Sequence, residues 1–371
     1  MNESILQEYG TNYTTKEYIT NPAIGRDREI KELILLLLTV EKSAILVGKP
    51  GVGKTAIIEG LAYKMKIGEV PEFLKDFQII NIQTAAMLGT TEKGESKVQI
   101  LIEELKRQPK TILFIDEIHM LMNSNSDTAL DFANIFKEGL GRGSIKIVGA
   151  TTTEEYERYI LRDKAFTRRF QRIDVREVTA DETVQIMVGT LPKIEKETGI
   201  KMKYSSYIQQ LIFKFITEIT SEFKRVYELG SRYPDCSLTL LKSAFSYAVF
   251  DNRKEVDITD FEKAIRETKL IYSDVIIKAL PEFRERFKNI YQEEGLVYNN
   301  ETLTYDKVEI KEKEEEKEEE KEIEPIFFDR EILHKPSDLK VSNSYLLGNE
   351  KIEEEHNSVN RRMGVIEDNG K

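Results

Sequence analysis

The segment Gly48-Lys49-Pro50-Gly51-Val52-Gly53-Lys54-Thr55 gathers the means of holding a phosphate chain. It matches the Walker A pattern, between an apolar strand and a helix. Its glycines let backbone N–H groups close around phosphate oxygens. Lys54 brings a mobile positive charge to the outer phosphates, and Thr55 offers a hydroxyl to Mg²⁺. Two acids, Asp116 and Glu117, end the apolar run Ile112-Leu113-Phe114-Ile115. Asp116 suits Mg²⁺, and Glu117 suits the polarising of an attacking water. Alone, such a pair more often starts a helix; behind a Walker A segment it reads as the second half of a hydrolytic site. Gly149-Ala150-Thr151-Thr152-Thr153 then places hydroxyls at a strand tip, where one could sense or orient that water. Thr153 also suits a helix cap before Tyr156. Arg168-Arg169 is either plain surface charge or the missing arginine that neutralises transition-state charge, given to a neighbouring subunit.

These groups need a rigid frame, and the sequence supplies an α/β one. Five short apolar runs read as strands: Ser43–Val47, Phe77–Ile82, Thr111–Ile115, Ile145–Val148 and Phe170–Val175. Helical periodicity falls between them, at Asp27–Val40, Lys54–Lys66, Lys97–Arg107 and Thr128–Leu140. Continuous apolar strands separated by helices predict a parallel five-stranded sheet sandwiched by helices. Both key segments then sit at carboxyl ends of strands, where open α/β sheets bind ligands. From Asp181 the strand signals fade. Asp181–Thr198, Ser206–Phe223, Ser237–Val249 and Thr259–Thr268 read as helices of an all-α domain, and Ser273–Tyr291 as one more with a kink near Pro281. The expected division is a linker at 1–22, an α/β domain at 23–178, a helical domain at 179–295 and an acidic tail at 296–371.

The totals exclude some classes. A net charge of -11 disfavours direct nucleic-acid binding, which needs a basic surface. One cysteine, Cys236, leaves no intramolecular disulfide, and the scattered His119, His334 and His356 give no zinc spacing. No signal peptide or membrane span is evident, so a cytoplasmic place and no membrane partner are expected. Lys311–Glu324 holds nine Glu and four Lys. Such a run cannot form a core. It reads as a solvated tail or, with Ile326-Phe327-Phe328 as an apolar hook, as a docking arm.

The order of motifs resembles the first ATPase module of the Clp family of protein unfoldases and disaggregases, a branch of the AAA+ ATPases. The resemblance rests on Ile24-Gly25-Arg26-Asp27, Gly48–Thr55 with Ala56-Ile57 after it, Glu69-Val70-Pro71, Leu113–His119, Asp131–Lys137, Gly149–Tyr156, Arg168-Arg169-Phe170-Gln171, Asp181-Glu182-Thr183 and Pro234-Asp235. It covers roughly Leu6 to Val249. It implies a P-loop NTPase domain followed by an AAA+ lid, with ATP and Mg²⁺ as ligands. Ile24 and Gly25 then lie near the adenine, and Gly48 to Ala56 hold the nucleotide. Thr55 and Asp116 serve the metal, Glu117 completes Walker B, and Thr152 matches the sensor-1 position. Arg168 and Arg169 match fingers that reach the next protomer, which implies a homo-oligomeric ring, a hexamer.

Three departures narrow the expectation. The family's leading pore loop carries an aromatic residue, and the matching stretch Thr90–Glu95 has Glu92 there. Cys236 stands where these modules usually have lysine, which would weaken a lid contact to nucleotide. The sequence shows one module, with no recognisable recruiting domain, coiled-coil insertion or second module, so coupling to a Clp peptidase is not expected. The resemblance implies an ATPase that remodels or unfolds a dedicated protein partner. The alternative is an assembly or switch ATPase acting on a nucleoprotein complex or scaffold.

Overall fold

The computed structural model describes residues 4–39, 42–87, 90–91, 94–122, 145–230, 232–299 and 304–307. The expected helix at Thr128–Leu140, the motif Asp131–Lys137, Glu92, and the tail from 308 onward lie outside the described residues.

The phosphate-loop part is a six-stranded sheet in the order β1-β3-β4-β5-β2-β6. The five expected strands are β2 (Ser43–Val47), β3 (Gln78–Ile82), β4 (Thr111–Ile115), β5 (Lys146–Thr151) and β6 (Phe170–Asp174), all paired in parallel. Every residue of β2, β4 and β5 is buried, as a sheet covered on both faces demands. β5 runs between β4 and β2, with Val47 opposite Thr151 and Ile115 opposite Gly149. The tips that carry the phosphate loop, the acidic pair and the threonines are therefore neighbours.

The sixth strand was not expected. The first 22 residues, read as a linker, contain helix α1 (Ile5–Tyr9) and β1 (Gly10–Asn12), which pairs antiparallel with β3. Neither shows an apolar period. Ile5 and Leu6 are buried in the apolar core beside the sheet, and Glu104 accepts from their N–H groups, each at 3.0 Å. Gly10 is needed for the approach, because a Cβ would come within 2.2 Å of the Leu6 carbonyl oxygen.

Helices cover the sheet through apolar stripes. α2 (Asp27–Leu38) buries Ile30, Leu33, Leu36 and Leu37. α3 (Lys54–Lys66) buries Ile57, Ile58, Leu61, Ala62 and Met65. α4 (Lys97–Arg107) buries Val98, Leu101, Ile102 and Leu105, and ends in Lys106 and Arg107 as its dipole favours.

The helical part has its own core, with Phe213, Phe215, Phe245, Phe261 and Phe283 at its centre. It comprises α5 (Ala180–Thr198), α6 (Ser206–Ile219), α7 (Asp235–Phe250), α8 (Ile258–Glu267), α9 (Ser273–Arg286) and α10 (Lys288–Glu293). A Thr179–Glu182 capping box starts α5, and Gly199 at φ 72° ends it. The expected kink moves. The helix runs on through Pro281 and breaks at Phe287.

Two strand pairs join these helices: β7 (Lys201–Met202) with β8 (Glu255–Val256), and β9 (Leu296–Asn299) with β10 (Thr304–Lys307). The second is a hairpin where the acidic tail was expected to begin. Tyr305 anchors it by donating to Glu262. No helix among the described residues is long and apolar enough to cross a membrane.

Candidate nucleotide site

The loop between β2 and α3 is bent by its glycines. Gly51 and Gly53 have φ of 74° and 97°, which glycine adopts without strain. A Cβ on Gly48 would come within 2.4 Å of the Val175 carbonyl oxygen. Buried Arg26 braces the loop from below, donating to the Val52 carbonyl and to Glu29.

Lys54 is 8% exposed. Its Nζ donates to the carbonyls of Gly48 at 3.0 Å and Lys49 at 3.3 Å. Burial lowers its pKa, and nearby Glu117 and Asp116 work against that shift. Thr55, one residue on, donates through Oγ1 to Asp116 Oδ2 at 3.2 Å. An alcohol and a carboxylate oxygen so close form a hard-oxygen donor set of the kind Mg²⁺ takes. The residues therefore fit the metal that the motif implies.

Glu117 adopts φ 51°, uncommon for a residue with a side chain and a mark of functional turns. Burial raises its pKa, with Glu155 and Asp116 adding to the effect. His119 Nδ1 lies 3.2 Å from Glu117 Oε2, and its Nε2 lies 3.2 Å from Glu155 Oε1.

Thr152, not Thr153, caps the following turn. Its hydroxyl donates to Glu155 Oε2 at 2.6 Å and its N–H donates there at 3.2 Å, while the Glu155 N–H returns a bond to Thr152 Oγ1 at 3.3 Å. The capping and sensing readings of this threonine pair thus fall on one residue.

Lys54, Thr55, Ala56, Asp116, Glu117 and Thr152 share the wall of one cavity of about 720 Å³ with Ile24, Pro50, Gly51, Val52 and Gly53. The helical part closes it with Lys193, Asp235 and Lys242, among others. Ile24 packs against that part: a Cβ on Gly189 would fall 2.0 Å from Ile24 Cδ1.

Gly25, Gly48 and Lys49 are not among the described wall residues. Gly48 and Lys49 contribute carbonyls to Lys54, and Gly25 serves a turn at φ 71°. Arg168 and Arg169 stand apart from this cavity. Their carbonyls accept from Lys42 Nζ at 2.8 Å and the Ser43 N–H at 2.9 Å. Ser43 starts β2 and pairs with Phe170, so both arginines lie at the sheet end opposite the phosphate loop.

Sequence reasoning missed several of these residues. Arg26, His119, Glu155, Lys193 and Lys242 reach the site only through the fold. Arg26, His119 and Glu155 did stand inside quoted motifs. Cys236 does not face the cavity. It is fully buried among lid residues, and its neighbour Asp235 approaches the phosphate loop, where a Cβ on Gly51 would fall 2.8 Å from Asp235 Cβ. In the expected pore loop, Thr90 and Ser96 form a β-bridge and Gly94 has φ 78°.

A glycine-bent loop, a buried lysine at a helix start and an acidic pair two strands over give the arrangement of a P-loop nucleotide site. Residues 44–176 match the family described as ATPase family associated with various cellular activities (AAA). The chain is 41% identical over 207 residues to the chaperone protein ClpB of Aquifex aeolicus, covering 54% of this chain and 21% of that protein. It is 36% identical over 286 residues to ClpB of Clostridium perfringens, covering 74% and 31%. Among solved structures, the S. cerevisiae Hsp104:casein complex in its extended conformation superposes with a TM-score of 0.59 at 30% identity, covering 71% of this chain and 45% of that one. The chain carries an AAA-family domain and resembles the first ATPase module of the Clp family. It spans less than half the length of these relatives.

Proposed function

We propose that this chain binds and hydrolyses ATP and, assembled in a homo-oligomeric ring, uses the cycle to remodel a protein partner. The observation that carries the reading is the convergence of Lys54, Thr55, Asp116, Glu117 and Thr152 on one cavity closed by the helical part. Lys54 faces the outer phosphates. Thr55 and Asp116 would hold Mg²⁺, which supplies charge neutralisation between phosphate oxygens. Glu117 polarises the water that attacks the terminal phosphorus, Thr152 orients it, and the bond to the bridging oxygen breaks to give ADP and phosphate.

The placement of Arg168 and Arg169 away from their own cavity supports a role at the neighbouring one, and so a site completed between protomers, a hexamer in the Clp pattern. Work on protein is supported by kinship with ClpB and with Hsp104, the latter solved in complex with casein. The net charge of -11 counts against nucleic acid as the direct target.

The test is ATP turnover measured with casein and with duplex DNA, beside capture of partners by Glu117→Gln in ATP. Stimulation by casein, or retention of a protein partner, is expected. Stimulation by DNA alone would replace this reading with the assembly ATPase.

A further inference from the structure

The chain crosses from the sheet to the helical part between Val175 and Glu177. Val175 still belongs to the sheet. Its N–H donates to the Val47 carbonyl at 2.8 Å, and its carbonyl oxygen is the atom that a Cβ on Gly48 would strike. Glu177 already belongs to the helical part. Its Oε1 accepts from Arg225 Nη1 at 2.6 Å and from the Tyr233 N–H at 2.9 Å, and Arg232 Nε stands 3.9 Å from its Oε2. Val178 then packs with Tyr233 and Cys236. Arg176 lies between the two attachments and pairs with Glu182 of α5 at 2.7 Å.

Arg225 is itself fixed in the helical part. It is buried, and the backbone on either side of it is bonded: the Val226 N–H donates to the Leu270 carbonyl at 2.9 Å, and the Lys224 carbonyl accepts from the Tyr272 N–H at 3.1 Å. Tyr233 stands just ahead of Asp235, the first residue of α7. Asp235 approaches Gly51, and α7 goes on to line the cavity with Leu238 and Lys242. The helical part therefore nears the phosphate loop at both of its ends, at Gly48 through Val175 and at Gly51 through Asp235. One oxygen of Glu177 joins the two approaches. Apolar packing alone would let the parts slide, whereas hydrogen bonds from two fixed donors to one atom define a direction. A buried ion pair adds little net stability, but it can select one arrangement of the parts it joins.

We propose that Glu177 is a positioning residue for nucleotide binding: it holds the connector and the start of α7 as one unit, so that the α7 wall meets the nucleotide at a fixed place opposite the phosphate loop. The proposal rests on the reading of this cavity as the ATP site.

Glu177→Gln keeps an acceptor oxygen for Arg225 and the Tyr233 N–H, and Glu177→Ala keeps none. Titration with Mg·ADP should give a Kd raised at least about tenfold in Glu177→Ala, the scale of losing an outer contact that orients a working group, and no more than about threefold in Glu177→Gln. A purely structural ion pair would act otherwise. It would lower the urea midpoint while the folded protein kept its affinity, as expected for Glu262→Gln.

The unmodified protein supplies a check that needs no variant. Amide hydrogen exchange at Val175 and at Tyr233 should slow together when Mg·ADP binds, because both bonds belong to the unit that closes on the nucleotide. Exchange at Tyr233 left unaltered by nucleotide overturns the proposal, even should Glu177→Ala fail to fold. So does an affinity unchanged by Glu177→Ala, or lost equally in both variants. An unmodified chain that binds no nucleotide instead sinks the nucleotide-site reading and this proposal with it.

Discussion

Two buried charge centres, one in each part of the molecule, are matched in opposite ways. In the helical part, buried Glu262 is fully matched. It accepts from Arg266 at 2.6 Å, Arg284 at 2.6 Å and Tyr291 at 2.8 Å, and from Tyr305. In the α/β part, Lys54 is buried against two carbonyl oxygens, and Glu117 stands at φ 51° with its pKa raised. A buried charge left without a matched partner costs stability. It persists where a ligand completes it. The matched centre is structural, and the unmatched one is the proposed nucleotide site.

The comparison yields graded expectations. Arg169→Ala should give the largest change. A finger in trans contributes on the order of 10³–10⁵ in turnover, so steady-state ATPase should collapse while ATP binding persists; wild-type turnover would place the finger elsewhere. Glu117→Gln comes next, with a loss of about 10²–10⁴ expected for removal of a general base. Its ATP binding and ring formation, read by sedimentation, should survive.

Glu262→Gln tests the other side. Breaking a buried, matched charge costs about 3–5 kcal/mol, so the urea midpoint should fall with ATP affinity little changed. A drop in affinity with unchanged stability would reverse the roles assigned to the two centres.

The smallest effect is a pH dependence. Burial pushes the Glu262 carboxyl up, but bonds from Arg284, Tyr305 and Tyr291 hold it below its ordinary 4.5. A depressed folded pKa contributes stability that is present above 4.5 and lost as pH falls through the folded value. Thermal melts should therefore drop in acid below that point, and Glu262→Gln should flatten the drop.

The matched and unmatched centres were not equally legible in the sequence. The phosphate loop, Asp116-Glu117 and Thr152 were readable because their chemistry needs fixed residue types at fixed local spacing, on strands whose apolar runs mark them. Glu262 was not, because its partners lie at Arg266, Arg284, Tyr291 and Tyr305, joined only by folding. The same applies to Glu104, whose carboxylate holds the start of α1, and to β1, which pairs with β3 through backbone and one Asn12–Gln78 side-chain bond. Glu155 and His119 lay inside visible motifs, yet their meeting at 3.2 Å depends on β4 and β5 being neighbours.

On the proposed reading, Lys54 completes its environment with the phosphates of ATP. The direct test is equilibrium titration of Mg·ATP into the Glu117→Gln protein with Lys54 present and with Lys54→Ala added. Saturable binding is expected in the first and loss of measurable binding in the second. Equal affinity in both would contradict it.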